Sequence, residues 1–132
     1  MIIGIGHDMA DIRRVAAVLD GPAGERFIAR IMTSGERKLA ESYGGARLHQ
    51  FVAGRFAAKE AVSKAFGCGI GSVMGFADID IARGDGGKPA CSLSAEAWAA
   101  LGHDPRDVRV WVTITHEREL ASAFAVAERI SP

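Results

Sequence analysis

Residues 51–71, FVAGRFAAKEAVSKAFGCGIG, constrain this chain more than any other stretch. Ala, Phe, Val and Lys favour a helix interior, and Gly67 stands where a left-handed C-terminal cap is expected. Val52, Phe56 and Ala57 recur at helical spacing, which predicts one buried face. Glu60 and Lys64 lie four apart and so share a face, as do Arg55 and Lys59. Taken alone, those pairs describe a surface helix laced with charge. The sequel adds to them. Gly67, Gly69 and Gly71 alternate directly after the helix, where backbone must approach something closely or take positive φ. A carboxylate, several cations and bare backbone in one short stretch suit a metal-bound polyphosphate.

The rest of the chain bounds what can use such a site. With 132 residues, 48% hydrophobic and 24% charged, it reads as a single soluble domain spanning 1–132. Lys plus Arg and Asp plus Glu number 16 each, so no global field recruits nucleic acid or an anionic membrane. Any anion-binding surface is local. Cys68 and Cys91 form no metal-type spacing, and nothing points to an oxidising compartment. The opening MIIGIGHDMADIRRV lacks a basic leader, and no apolar run approaches the roughly 20 residues of a membrane span. A cytoplasmic protein is expected.

In chain order, Met1 to Gly6 reads as a buried strand, with Asp8 at its exit. Asp8 suits either of two roles there: a functional carboxylate held by the scaffold, or an N-cap for the next helix, which Asp11 could provide instead. The helix from about Asp11 to Leu19 turns Ile12, Val15 and Leu19 inward and Arg13 and Arg14 outward. GERFIARIM forms a second helix, and Thr33-Ser34-Gly35-Glu36 has the form of a capping box opening a third, through about Tyr43. From Phe76 to Arg83 the period becomes two. Gly84-Asp85-Gly86-Gly87 is then a turn and Pro89 to Leu93 the returning strand. Ser94 caps a helix closed by Gly102. Val108 to Thr115, and about Leu120 to Glu128, form a second hairpin, with Trp111 on its polar side as a candidate subunit contact. Early helices and late hairpins give an α+β class, helices packed on antiparallel β hairpins.

Asp8 and Glu60 could supply the carboxylates that Mg²⁺ wants beside phosphate oxygens, with Lys64 and the glycine loop receiving phosphate charge. The same set would serve a phosphoryl-type transferase, a nucleotide hydrolase or a module that only binds. No Gly-x-x-x-x-Gly-Lys-Ser/Thr loop is present, and Gly4-x-Gly6 alone is too little for a dinucleotide fingerprint.

Four blocks carry a more specific signal: GIGHDMADIRRV (4–15), FVAGRFAAKEAVSKAFGCGIG (51–71), GGKPA (86–90) and VTITHERELASAFAVAE (112–128). In order and spacing the chain resembles the small, holo-acyl-carrier-protein synthase type of 4′-phosphopantetheinyl transferase along essentially its whole length. The resemblance implies that family's fold and its reaction. Phosphopantetheine moves from coenzyme A to a serine of acyl carrier protein, as in fatty acid biosynthesis, with release of adenosine 3′,5′-bisphosphate. It implies Mg²⁺ and a homotrimer with active sites between subunits. It places Asp8 and Glu60 as metal ligands and Lys64 beside the phosphates. Glu60, directly or through a metal-bound water, becomes the group that deprotonates the serine. It further implies that the Gly67 and Gly69 loop, Lys88, Pro89 and His116 border the cofactor, and that Arg13 and Arg14 meet the acidic helix of the carrier protein.

The chain departs from the family pattern at His7, where an apolar or small residue is usual, and at Cys68, where threonine is common. Thr113 replaces serine, and Asp-Gly-Gly-Lys-Pro replaces Asn-Gly-Lys-Pro. None of these alters Asp8, Glu60 or Lys64. A coenzyme A- or carrier-protein-binding module without turnover is the alternative, and a coenzyme A hydrolase a weaker third.

Overall fold

The computed structural model describes residues 1–131. In chain order its elements are β1 (Ile2–Asp11), α1 (Ile12–Leu19), α2 (Gly24–Ile31), α3 (Ser34–Leu39) and α4 (Gly45–Ala65). They continue as β2 (Ile79–Arg83), β3 (Pro89–Leu93), α5 (Ala95–Leu101), β4 (Val108–His116) and β5 (Leu120–Arg129). β1, β5 and β4 form one antiparallel sheet with β5 central, and β2 and β3 form a separate hairpin. The expected α+β arrangement is present, with one addition. The first strand joins the C-terminal hairpin as its third member.

The sheet can receive α4 closely because its inner face is almost bare of side chains. Ala121, Ala123, Ala125 and Ala127 of β5 are all buried there. On β1, a Cβ at Gly4 would sit 1.9 Å from the carbonyl oxygen of Ala65, and one at Gly6 would sit 1.8 Å from that of Ala61. Gly4-x-Gly6 is therefore a helix-docking surface: backbone meets backbone. Gly6→Ala is expected to cost about 3 kcal/mol or more, since helix and strand must separate to admit one methyl. Thermal denaturation would read this as a lower Tm.

Several boundaries differ from the sequence reading, each for a local reason. β1 does not end at Gly6 but runs to Asp11, because β5 pairs with it as far as Asp11↔Leu120. Asp8 is thus inside the strand and shares the face of Gly6 and Ala10. Asp11 caps α1, its carboxylate accepting from the backbone N–H of Arg13 and Arg14. Phe76 to Asp78 is a 3₁₀ turn instead of strand. Asp78 holds that turn by accepting from Gly75 N–H at 2.8 Å and from the Ser94 hydroxyl at 2.6 Å. The capping box at Thr33 and Glu36 is formed, but α3 stops at Leu39, short of Tyr43. Gly67 ends α4 in a Schellman arrangement at φ 73°, its N–H bonding Lys64 O and that of Cys68 bonding Ser63 O.

The largest departure concerns Lys59, which the spacing had paired with Arg55 on a charged surface. Lys59 is 0% exposed, and its Nζ donates to Glu36 Oε1 at 2.7 Å, Ile31 O at 2.7 Å and Phe76 O at 3.1 Å. Glu36, also 0% exposed, accepts from Thr33 N–H at 2.8 Å and from Ile81 N–H at 2.7 Å. Every ammonium proton is used and both carboxylate oxygens are occupied, which is what makes a buried ion pair tolerable. Burial pulls the Lys59 pKa below the ordinary lysine value, against the pull of Glu36. Among the described residues, no helix is long and apolar enough to cross a membrane.

Candidate active site

Two sites emerge, on opposite sides of α4. The first is built where β1 passes the C-terminal half of that helix. Asp8 projects from the inner face of β1 toward the turn carrying Glu60 and Lys64. Lys64 Nζ donates to Asp8 Oδ1 at 2.8 Å and to His7 O at 3.1 Å. Asp8 and its hydrogen bond raise the Lys64 pKa above the ordinary lysine value. Glu60 moves upward as well, first through burial and then through the nearby Asp8 charge, with Lys64 opposing. Two carboxylates that repel one another beside an ammonium are a place for a cation and an anion together. Among the described residues, no group of three or more His, Cys, Asp or Glu side chains gathers at one point. A cation here would keep open positions for phosphate oxygens and water, as Mg²⁺ does.

The raised Glu60 pKa has a stability consequence. A carboxylate whose folded pKa lies above its unfolded value contributes stability below the unfolded pKa, and that contribution is lost as pH rises through the folded pKa. In metal-free buffer, wild-type Tm is therefore expected to fall relative to Glu60→Gln as pH is raised from 4 to 8. Parallel Tm profiles for the two proteins would contradict this.

The second site is a cavity of about 610 Å³ between α4, the β2–β3 hairpin and the end of β4. Its basic lining comes from Arg47, Arg55 and Arg83, with Tyr43 and Phe51 beside them and Gly87, Pro89 and His116 across the opening. Two of the arginines lie over aromatic rings. Arg47 lies 4.2 Å over Tyr43 and Arg55 lies 4.3 Å over Phe51, at cation–π distance. Arg83 donates to Tyr43 Oη at 2.7 Å, which lowers the phenol pKa. Arg55 Nε is buried without a hydrogen-bond partner. Three guanidinium groups lining one cavity suit an anion.

The sequence expectations divide between these two places. Asp8, Glu60 and Lys64 lie near one another, and Gly67 and Gly69 follow the end of the same helix with φ of 73° and 66°. Pro89 and His116 line the cavity instead. Lys88 is exposed and faces a neighbouring groove with Cys91 and Trp111. Arg13 and Arg14 are exposed on α1. Arg13 leans on Glu119 at 3.6 Å, whereas Arg14 borders a groove of Met9, Val15, Val18, Phe27 and Phe56. His7 points to the opposite face of β1 from Asp8. It stacks on Phe124 at 4.0 Å and meets Ser122 Oγ at 2.9 Å, so it packs beside the strand and faces away from Asp8 and Glu60. Cys68 Sγ donates to Ser63 O at 3.6 Å, and burial raises its pKa.

Among the sequence candidates, Arg47, Arg83 and Tyr43 do not figure, and Arg55 figures only as a surface cation. The signal was present: Arg47, Phe51 and Arg55 are each four apart along one row of α4, with Tyr43 just ahead of its N-cap Gly44. The row extends to Lys59, and only tertiary structure divides it into a cavity lining and a buried pair.

Known proteins resemble this chain over its full length. Residues 4–127 match the model of the 4′-phosphopantetheinyl transferase superfamily. Holo-[acyl-carrier-protein] synthase of Bacillus thuringiensis (strain Al Hakam) is 43% identical over 131 residues, covering 99% of each chain. A crystal structure of that synthase from Bacillus anthracis str. Ames, in complex with CoA (3′,5′-ADP), superposes with TM-score 0.82 at 40% identity, covering 98% of both chains. The Neisseria meningitidis synthase gives TM-score 0.83 at 33% identity, covering 98% of this chain and 100% of that one. On full-length sequence and fold together, this chain belongs to the 4′-phosphopantetheinyl transferase superfamily.

Proposed function

We propose that the chain is a cytoplasmic, single-domain, Mg²⁺-dependent enzyme of fatty acid biosynthesis. It transfers 4′-phosphopantetheine from coenzyme A to a serine of apo acyl carrier protein. The observation that carries this reading is the meeting of Asp8, Glu60 and Lys64 at one point of α4 and β1. Asp8 and Glu60 would hold the metal, which supplies charge neutralisation to a diphosphate when bound. Glu60, directly or through a metal-bound water, would take the proton of the attacking serine hydroxyl. As the serine O–P bond forms, the phosphorus–oxygen bond within the diphosphate breaks. Lys64 offers its ammonium to the departing bisphosphate oxygen.

The arginine cavity suits the adenosine 3′,5′-bisphosphate end of coenzyme A. It adjoins β4, at the sheet edge opposite β1, and Asp8, Glu60 and Lys64 do not line it. That separation supports an active site completed by two copies, the cavity of one facing the metal carboxylates of the next. A homotrimer accords with it. The outer face of the three-stranded sheet exposes Ile5, Met9, Trp111 and Phe124, apolar side chains that a subunit contact would cover.

Mass spectrometry of apo acyl carrier protein incubated with the chain and coenzyme A tests the activity. One phosphopantetheine is expected on the serine, in Mg²⁺ and not in EDTA. Unmodified carrier despite coenzyme A binding would replace the transferase reading with that of a binding module. For the carrier surface, Arg14→Glu is expected to raise KM for acyl carrier protein about tenfold, with KM for coenzyme A unchanged. Equal losses for both substrates would remove Arg14 from that role.

A further inference from the structure

The cavity's arginines are not held by the cavity alone. Arg55 NH2 donates to Ile81 O at 3.1 Å, while Ile81 N–H donates to Glu36 Oε2 at 2.7 Å. Both polar groups of one residue of β2 are thereby tied to the helical layer, one directly by α4 and one through Glu36. Lys59 closes the circuit, because it lies one turn beyond Arg55 on α4 and pairs with Glu36 at 2.7 Å. Two residues after Ile81 comes Arg83, and the next residues form the turn that presents Gly87 and Pro89 to the cavity. The distance between the two cavity walls, α4 and the β2–β3 hairpin, is thus fixed at Ile81. A coenzyme A bisphosphate must bridge those walls.

We infer that Glu36 and Lys59, which touch no part of the cavity, are positioning residues for its arginines. They set the spacing of Arg47 and Arg55 on one wall against Arg83 on the other. The inference rests on the reading that this cavity takes the bisphosphate end of coenzyme A. A pair that merely stabilised the fold would change the fraction of active protein, seen as apparent kcat. A pair that spaces the cavity walls changes affinity for whatever bridges them.

Glu36→Asp is the deciding variant. It keeps the negative charge beside Lys59 but withdraws the carboxylate from Ile81 N–H by one methylene. Glu36→Gln/Lys59→Met, which removes both charges at once, is the second. Each is assayed well below its own Tm, with folding confirmed by circular dichroism. The expected result is a tenfold or greater rise in KM for coenzyme A and in Kd for adenosine 3′,5′-bisphosphate, with kcat within about twofold of wild type. Unchanged KM and Kd in folded Glu36→Asp overturns the inference, as does a fall in kcat alone. Arg83→Ala separates the two levels of the argument. If it weakens bisphosphate binding while Glu36→Asp does not, only the positioning role fails. If Arg83→Ala has no effect either, the cavity assignment itself is wrong.

Discussion

Asp8→Ala and Glu60→Gln are each expected to lower kcat for phosphopantetheine transfer by about three orders of magnitude, with the fold preserved. That size follows from removing electrostatic stabilisation worth several kcal/mol at a reacting phosphate. Neither side chain holds the core. Asp8 is partly exposed and its bond to Lys64 is at the surface, so circular dichroism should be unchanged. Isothermal titration gives a second, activity-free readout: Mg²⁺ binding in the presence of coenzyme A is expected in wild type and lost in both variants. The two-sided placement of the sites allows a sharper test. Asp8→Ala and Arg47→Glu chains, each inactive alone, are mixed after mild dissociation. If a coenzyme A molecule spans two copies, some mixed assemblies contain one site with both halves intact, and activity returns. Turnover near wild type in Asp8→Ala would remove the metal assignment. A failure of mixed chains to recover, with exchange verified by mass, would place both halves of the site within one copy.

The second large effect is on stability. Glu36→Ala and Lys59→Met, made singly, are each expected to cost about 3–5 kcal/mol, because each leaves the partner charge buried and uncompensated. For a chain of this length that corresponds to a Tm lower by roughly 10–20 °C. The loss is expected to exceed any from the surface pair Arg106–Asp104, although that contact is equally short at 2.7 Å. Exposure decides the difference: solvent screens the surface pair, while no water reaches Lys59. Glu36 also terminates the Thr33 and Ile81 N–H groups, so Glu36→Ala frees both donors and leaves the Lys59 ammonium with only the carbonyls of Ile31 and Phe76. Chemical denaturation of both variants would check this. A loss below about 1 kcal/mol would mean that the pair is solvated in solution.

Much of the fold was legible because it rests on local chemistry. The capping box at Thr33, the αL glycines at Gly67 and Gly102, the turn before Pro89 and the alternation of Val108 to Thr115 each depend on neighbours in sequence. The trio Asp8, Glu60 and Lys64 was legible through residue type and through resemblance. Element ends were less so. β1 reached Asp11 because β5, over a hundred residues away, offered pairing partners, and the propensity of Gly-His-Asp could not reveal that.

The sequence by itself determined which side chains are candidates for the chemistry: two carboxylates, a lysine one turn on, and a glycine-ended helix. It also determined the class, since periods of 3.6 and 2 follow from backbone geometry alone. Only tertiary structure decided which like-looking charges do which work. Arg55, Lys59, Glu60 and Lys64 occupy three turns of one helix, yet one lines the arginine cavity, one is sealed against Glu36, one bonds Asp8 and one lies near it. A helix presents its residues in all directions, and the direction in which each charge finds water, a partner or a cavity depends on what packs there. Here that was settled by β1, α3 and the β2–β3 hairpin, closing on α4 from different sides.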